Sequence, residues 1–152
     1  MTTNNNIPAP TLAFKLSSII ALLAGTVAYC IGLYNAEMAL NEKGYYFAIL
    51  FYGLFAAVSV QKSVRDKQDN IEISQVYYLI SWISVAIALS LLIIGLYNAD
   101  LLLSEKGFYG MAYTLSLFSS ITIQKNIRDS QLVQKDLSEL NSTDNEATTL
   151  ES

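Results

Sequence analysis

Four long apolar stretches dominate this chain, and few folds can house all four. They run from Leu12 to Tyr34, Gly44 to Val60, Val76 to Tyr97 and Gly107 to Ile123. Each is roughly 17–23 residues long, and at ~1.5 Å per helical residue that matches the ~30 Å hydrocarbon layer of a bilayer. None contains Asp, Glu or Arg. The single Lys within them, Lys15, lies near the start of the first stretch, where it can snorkel to the interface. A buried helix of a soluble protein is apolar along one stripe, whereas these are apolar on every side. Composition agrees, with 14% charged residues against about 25% in soluble domains. Both prolines, Pro8 and Pro10, precede the first stretch, so no later proline breaks a helix. The expected fold class is all-α integral membrane with four transmembrane helices. The first stretch is too long for the core of a cleaved signal peptide and three more follow, so it reads as a retained span.

The second constraint is an internal repeat. Residues 31–46 read IGLYNAEMALNEKGYY and residues 94–109 read IGLYNADLLLSEKGFY, a gapless offset of 63 with 11 of 16 positions identical. At the same offset QKSVRD (61–66) matches QKNIRD (124–129). Each copy holds two spans, so both insert with the same orientation. The copies are then related by a pseudo-two-fold axis along the membrane normal, unlike the inverted repeats of many transporters. This divides the chain into a disordered cytoplasmic N-terminus (1–11), a first two-helix hairpin (12–66), a cytoplasmic linker (67–75), a second hairpin (76–129) and a disordered acidic cytoplasmic tail (130–152). The tail expectation rests on Asp136, Glu139, Asp144, Glu146 and Glu151 set against Lys135 alone, without one aromatic residue.

Boundary residues refine the helices. Asn41 and Ser104 are good N-caps, with Glu42 and Glu105 in the first turn where carboxylates favour the helix dipole. The second and fourth helices are expected to start there. Tyr29, Tyr34, Tyr45, Tyr46, Tyr97, Phe108 and Tyr109 read as an interfacial aromatic belt on one side, and Tyr77, Tyr78 and Trp82 on the other. Of the nine Lys and Arg, Lys43 and Lys106 fall in the hairpin loops. Lys15, Lys62, Arg65, Lys67, Lys125, Arg128 and Lys135 fall on the opposite side, which the positive-inside rule assigns to the cytoplasm with both termini.

Small residues mark the packing faces. Ser18, Ala21, Gly25, Ala28 and Gly32 recur at 3-4 spacing on the first span. The equivalent positions of the third are Ser81, Ser84, Ala88, Leu91 and Gly95. Gly53, Ala56 and Ala57 on the second match Ser116, Ser119 and Ser120 on the fourth. Small residues let backbones approach closely, a main source of helix association in lipid. The stripes are expected to face one another in a tight bundle with left-handed crossings.

The doubled IGLYNA(E/D)…EKG(Y/F)Y segment, followed each time by QK…RD, resembles the YiaA/YiaB two-helix family of bacterial inner-membrane proteins, most closely its members with two hairpins. The resemblance covers roughly residues 12–129. It implies an inner-membrane, multi-pass location and a two-helix repeat, and it supplies no activity and no catalytic residues.

Candidate chemistry is sparse. With no histidine, the chain lacks the commonest general base and metal ligand. The lone cysteine, Cys30, sits in an apolar run and reads as a small hydrophobe. In the outer loops Asn35, Glu37, Glu42 and Lys43, with Asn98, Asp100, Glu105 and Lys106, form the densest charge. Paired carboxylates there could hold a hard cation such as Ca²⁺, but capping and local Glu–Lys pairing explain the same residues. At the inner end Lys62, Arg65 and Asp66, repeated as Lys125, Arg128 and Asp129, suit anchoring with Lys–Asp pairs at i,i+4, or docking to headgroups or a cytoplasmic partner. The spans carry hydroxyls (Ser59, Ser90, Thr114, Thr122) but no mid-membrane acid or base, which ion-coupled carriers usually need. Walker, Rossmann and HExxH patterns are absent, as is any basic nucleic-acid patch. The expectation is a non-enzymatic structural or accessory membrane component, with no catalytic, cofactor or metal residues. It would contact lipid and other membrane proteins or itself, and no nucleic acid. The alternative is an oligomeric conduit or small-solute transporter lined by residues such as Thr114, Ser116 and Thr122.

Overall fold

The computed structural model describes residues 10–150, and its regular elements are all helical: α1 Leu12–Asn35, α2 Leu40–Gln68, α3 Gln75–Asn98 and α4 Leu103–Leu150. The first three are long and apolar enough to cross a membrane. Over 107–123 the apolar character of α4 is diluted by two tyrosines, two threonines and three serines.

The helices start and stop for local reasons. The Thr11 side chain caps α1 by accepting from the Phe14 N–H at 3.3 Å. The starts of α2 and α4 lie one to two residues earlier than expected, with Ala39 and Leu102 as the residues before the first turn. Asn41 and Ser104 are therefore already helical and do not cap. The cap comes from the third helical residue instead: Glu42 Oε2 accepts the Ala39 N–H at 2.9 Å, and Glu105 Oε2 the Leu102 N–H at 2.8 Å. A carboxylate reaching back this way satisfies one of the orphan donors of a helix start. At the far end of α2, Asn70 adopts a left-handed conformation (φ 55°). The Ile71 N–H reaches the Asp66 carbonyl at 2.9 Å, closing the helix as a Schellman motif in which Asn takes the usual glycine position.

Residues 130–150, expected to be disordered, continue α4 as helix. The run has no proline or glycine, and it extends an existing helix, so the nucleation cost is already met. Residues 1–9, most of the N-terminal segment expected to be disordered, and residues 151–152 lie outside the described residues.

The hairpins are repeats in sequence but not units of packing. α1 lies chiefly along α4, α3 along α2, and α2 meets α4 between them; α1 and α2, joined by residues 36–39, touch lightly. The small-residue stripes do mediate these seams. A β-carbon on Gly32 would lie 2.7 Å from Phe108, and one on Gly95 would lie 2.7 Å from Tyr45. The two repeats are thus interlocked, each first helix seated on the second helix of the other copy.

The core is built on tyrosine. Tyr29, Tyr46, Tyr109 and Tyr113 are buried together with Leu33, Ile49, Leu50 and Leu92. This corrects the aromatic-belt reading for three of its members. Tyr34 and Tyr97 are 83% exposed and suit a belt, whereas Tyr29, Tyr46 and Tyr109 face inward. Neighbouring residues on a helix diverge by ~100°, so Tyr45 and Tyr46 cannot both face lipid. On the opposite surface, α1 exposes Ile20, Leu23, Val27 and Ile31, and α3 exposes Leu79, Ile80, Ile93 and Ile94. Contiguous apolar faces of this extent belong in lipid, not water.

Candidate functional site

The residues with chemistry cluster at the two ends of the bundle. At the loop end the interlocked packing sets each hairpin loop beside the end of the other repeat's first helix. Glu37, Asn41 and Glu42 thereby line a cleft of about 460 Å3 with Asn98 and Asp100. Asn35, Ser104 and Glu105 line a separate cleft of about 300 Å3. Of the eight polar residues singled out in sequence, Glu37, Glu42, Asn98 and Asp100 line the first cleft and Asn35 and Glu105 the second, while Lys43 and Lys106 line neither.

Most of these side chains are occupied by backbone. Glu42 and Glu105 cap their helices as described. Lys43 Nζ donates to the Tyr34 carbonyl at 2.8 Å, and Lys106 Nζ to the Tyr97 carbonyl at 3.3 Å. Each lysine ties the start of one helix to the end of the helix before it, neutralising part of that C-terminal dipole. Asn35 and Asn98 donate to the Ile31 and Ile94 carbonyls at 2.9 and 2.8 Å. The repeated Asn, Glu and Lys of the motif therefore form a hairpin clasp. Among the described residues no group of three or more His, Cys, Asp or Glu could hold a metal ion.

Within the bundle most of the hydroxyls are satisfied by backbone carbonyls. Tyr29 Oη donates to the Tyr46 carbonyl at 3.1 Å. The Tyr29 and Tyr109 rings meet edge to face at 5.3 Å. Thr114 and Thr122 donate to the Gly110 and Phe118 carbonyls, and Ser116 to Ala112. Ser116 is fully buried on the α1 side while Thr114 is exposed, so the hydroxyls proposed to line a lumen do not share a face. Ser59 is buried and Ser90 exposed, and Cys30 packs half-buried against the tyrosines. Ser119 Oγ is buried without a partner among the described residues.

At the other end, Asp66 pairs with its neighbour Arg65 at 3.4 Å. Among the described residues no Lys62–Asp66 or Lys125–Asp129 bridge forms, against the expected i,i+4 pairing. Arg128 instead crosses between repeats and donates to Asp69, 2.6 Å from Oδ1. Asp69 is the C-cap residue of α2, which packs beside α4. A second contact between repeats joins Asn126 Nδ2 to Ser18 Oγ at 3.0 Å, with both side chains buried. Sequence reading missed these two contacts and Tyr113. The Arg128–Asp69 pair had no signal, because it depends on α2 and α4 being neighbours.

The family model of the yiaA/B two helix domain matches the chain twice, at residues 14–66 and 77–129. These spans carry the same 63-residue offset. The chain is 55% identical over 126 residues to "Inner membrane protein YiaA" of Escherichia coli (strain K12), covering 83% of this chain and 87% of that protein. It is 41% identical over 64 residues to "Uncharacterized membrane protein YubF" of Bacillus subtilis (strain 168), covering 41% of this chain and 74% of that protein. No solved structure matches.

Proposed function

Because the chain belongs to the yiaA/B two helix domain family, we propose that it is a non-enzymatic scaffold or accessory component of the bacterial inner membrane. It spans the bilayer four times with both termini in the cytoplasm. The observation that carries this reading is the use of the shared motif. Its Asn, Glu and Lys side chains spend their hydrogen bonds on backbone at the hairpin ends. Catalysis needs an activated group within reach of a substrate, and residues held in caps and clasps do not supply one. The widest surfaces left to act are the apolar outward faces of α1 and α3, which suit lipid and the helices of other membrane proteins.

Support for the fourth span comes from where α4 hides its polarity. Tyr109, Tyr113, Ser116, Ser119 and Ser120 are buried, and Thr114 and Thr122 bond their own helix. Met111, Leu115 and Phe118 are left facing outward. Seven cations against two favour the inner location of the termini. Reporter fusions at Asn41 and Ser104 should read as exported; a cytoplasmic signal at either would overturn the topology.

The functional reading is tested by co-purification from native membranes at native expression level, with a C-terminal tag and quantitative mass spectrometry against an untagged strain. A stoichiometric membrane partner is the expected result. Recovery as a defined homo-oligomer alone would replace this reading with a conduit, to be examined by flux in liposomes.

A further inference from the structure

We propose that a groove between α1 and α4 at the cytoplasmic end holds one anionic phospholipid. The groove has a volume of about 300 Å3 and is lined by Lys15 with Gln131 and Gln134 beside Ile19 and Ile123; Ser18 and Asn126 also line it, bonded to each other. This is the arrangement a phospholipid needs: one cation and uncharged hydrogen-bonding groups at headgroup depth, and branched aliphatic side chains below for the first methylenes of a chain.

Three observations point to a bound anion. Lys15 is the only charged residue lining the groove, and among the described residues no carboxylate pairs with it. It also stands in the opening turns of α1, a stretch with no acidic residue. A cation is disfavoured there by the helix dipole, whereas an anion is favoured. The pseudo-equivalent place between α3 and α2 is arranged differently. There Lys67 lies 4.8 Å over the Tyr78 ring, and Glu72 lines the same cavity. That lysine has an internal partner and an acid beside it, so the second place is not an anion site. The repeat therefore provides its own control.

The inference needs the start of α1 to lie at the headgroup layer, but not the scaffold reading, and lipid binding is measured without any protein partner. The test is native mass spectrometry of the full chain in detergent, titrated with phosphatidylglycerol or phosphatidylcholine. Wild type should retain one phosphatidylglycerol in preference to phosphatidylcholine. Replacing the lysine removes a charge-assisted hydrogen bond, so Lys15→Gln should weaken retention about tenfold. Lys15→Arg should preserve it and Lys67→Gln should leave it unchanged. Gln131→Glu, at an exposed position on the groove edge, should weaken it without touching the core. Melting in lipid-free detergent separates loss of the site from loss of the fold. Equal retention by wild type and both weakening variants would overturn the proposal. So would equal retention of the two lipids, or protection by inorganic phosphate equal to that by phosphatidylglycerol, which would assign a soluble anion.

Discussion

The loop end and the middle of the bundle make an instructive pair. At the loop end the two repeats are built from equivalent contacts. Gly32 against Phe108 and Tyr109 has its counterpart in Gly95 against Tyr45 and Tyr46, and the distances agree to 0.1 Å. Both loops carry the same Glu cap and Lys clasp. Toward the middle the symmetry fails. Tyr29 and Tyr113 have Leu92 and Leu50 at their equivalent positions, and Ser116 has Gly53. Tyr113 fits because Gly53 lacks a side chain: a β-carbon there would fall 1.9 Å from the Tyr113 Oη. A large residue on one repeat is thus matched by the smallest on the other. The motif common to both copies encodes how a hairpin closes. The residues that differ encode how two hairpins interlock in a single arrangement, as asymmetric core layers do in bundles generally.

If that division is right, the middle should be the more fragile. The largest effect is expected at Gly53. Tyr113 is completely buried, so its ring has nowhere to go, and overpacking of this kind costs about 1–3 kcal/mol. Gly53→Ala should lower reversible unfolding stability in micelles by that amount, and Tyr113→Leu in the same chain should restore most of it. A double variant no better than the single one would break the comparison.

Gly25 is expected next. Its β-carbon would meet the Ala112 carbonyl and the Ser116 amide at 3.0 Å, backbone atoms that cannot rotate away. Gly25→Ala should cost roughly 1–2 kcal/mol, and Gly25→Leu should damage folding more than Leu22→Ala. Gly110 has nothing within 4 Å of the same added atom. Gly110→Ala should therefore be neutral or gain up to ~1 kcal/mol from helix propensity. Equal losses at Gly25 and Gly110 would show that the seam is not where α1 and α4 meet most closely.

The loop end makes the complementary claim of equality. Glu42→Ala and Glu105→Ala each remove one helix-start acceptor and should each cost about 1 kcal/mol. Circular-dichroism melts of the two variants should coincide. A twofold difference between them would mean that one carboxylate has a task beyond its helix cap.

The number of helices and their apolar segments were legible in sequence because lipid demands long uncharged runs, the continuation of α4 through 130–150 was not because its polar composition carries no such signal, and the repeat was legible because its offset has no gap. The hairpin clasp was half legible. Glu42 and Glu105 were placed in the first turn, but Asn41 and Ser104 were assigned the cap because their side chains favour that position on average. Here a glutamate three residues on reaches back and does it. The tyrosine core was misassigned because a tyrosine near a helix end has the same composition signal whether it faces headgroups or a neighbouring helix. The partner of each helix was not legible at all. Short loops suggest that sequential helices pack together, and nothing local reveals that α1 prefers α4.

That last point gives the smallest and most specific prediction. The Arg128–Asp69 pair exists only if α2 and α4 are neighbours, since it joins the linker after the first hairpin to the last helix of the second. Both side chains are partly exposed, and such pairs are worth about 0–1 kcal/mol and weaken with salt. Arg128→Ala should thus shift stability only slightly, and less at high ionic strength. The informative variant exchanges the charges, Asp69→Arg with Arg128→Asp. It should recover what either single change loses. The equivalent single changes at Lys62 and Lys125, which form no ion pair among the described residues, should show no coupling to Asp66 or Asp129. Absence of coupling between Asp69 and Arg128 would separate the end of α2 from α4 and remove this contact between the repeats.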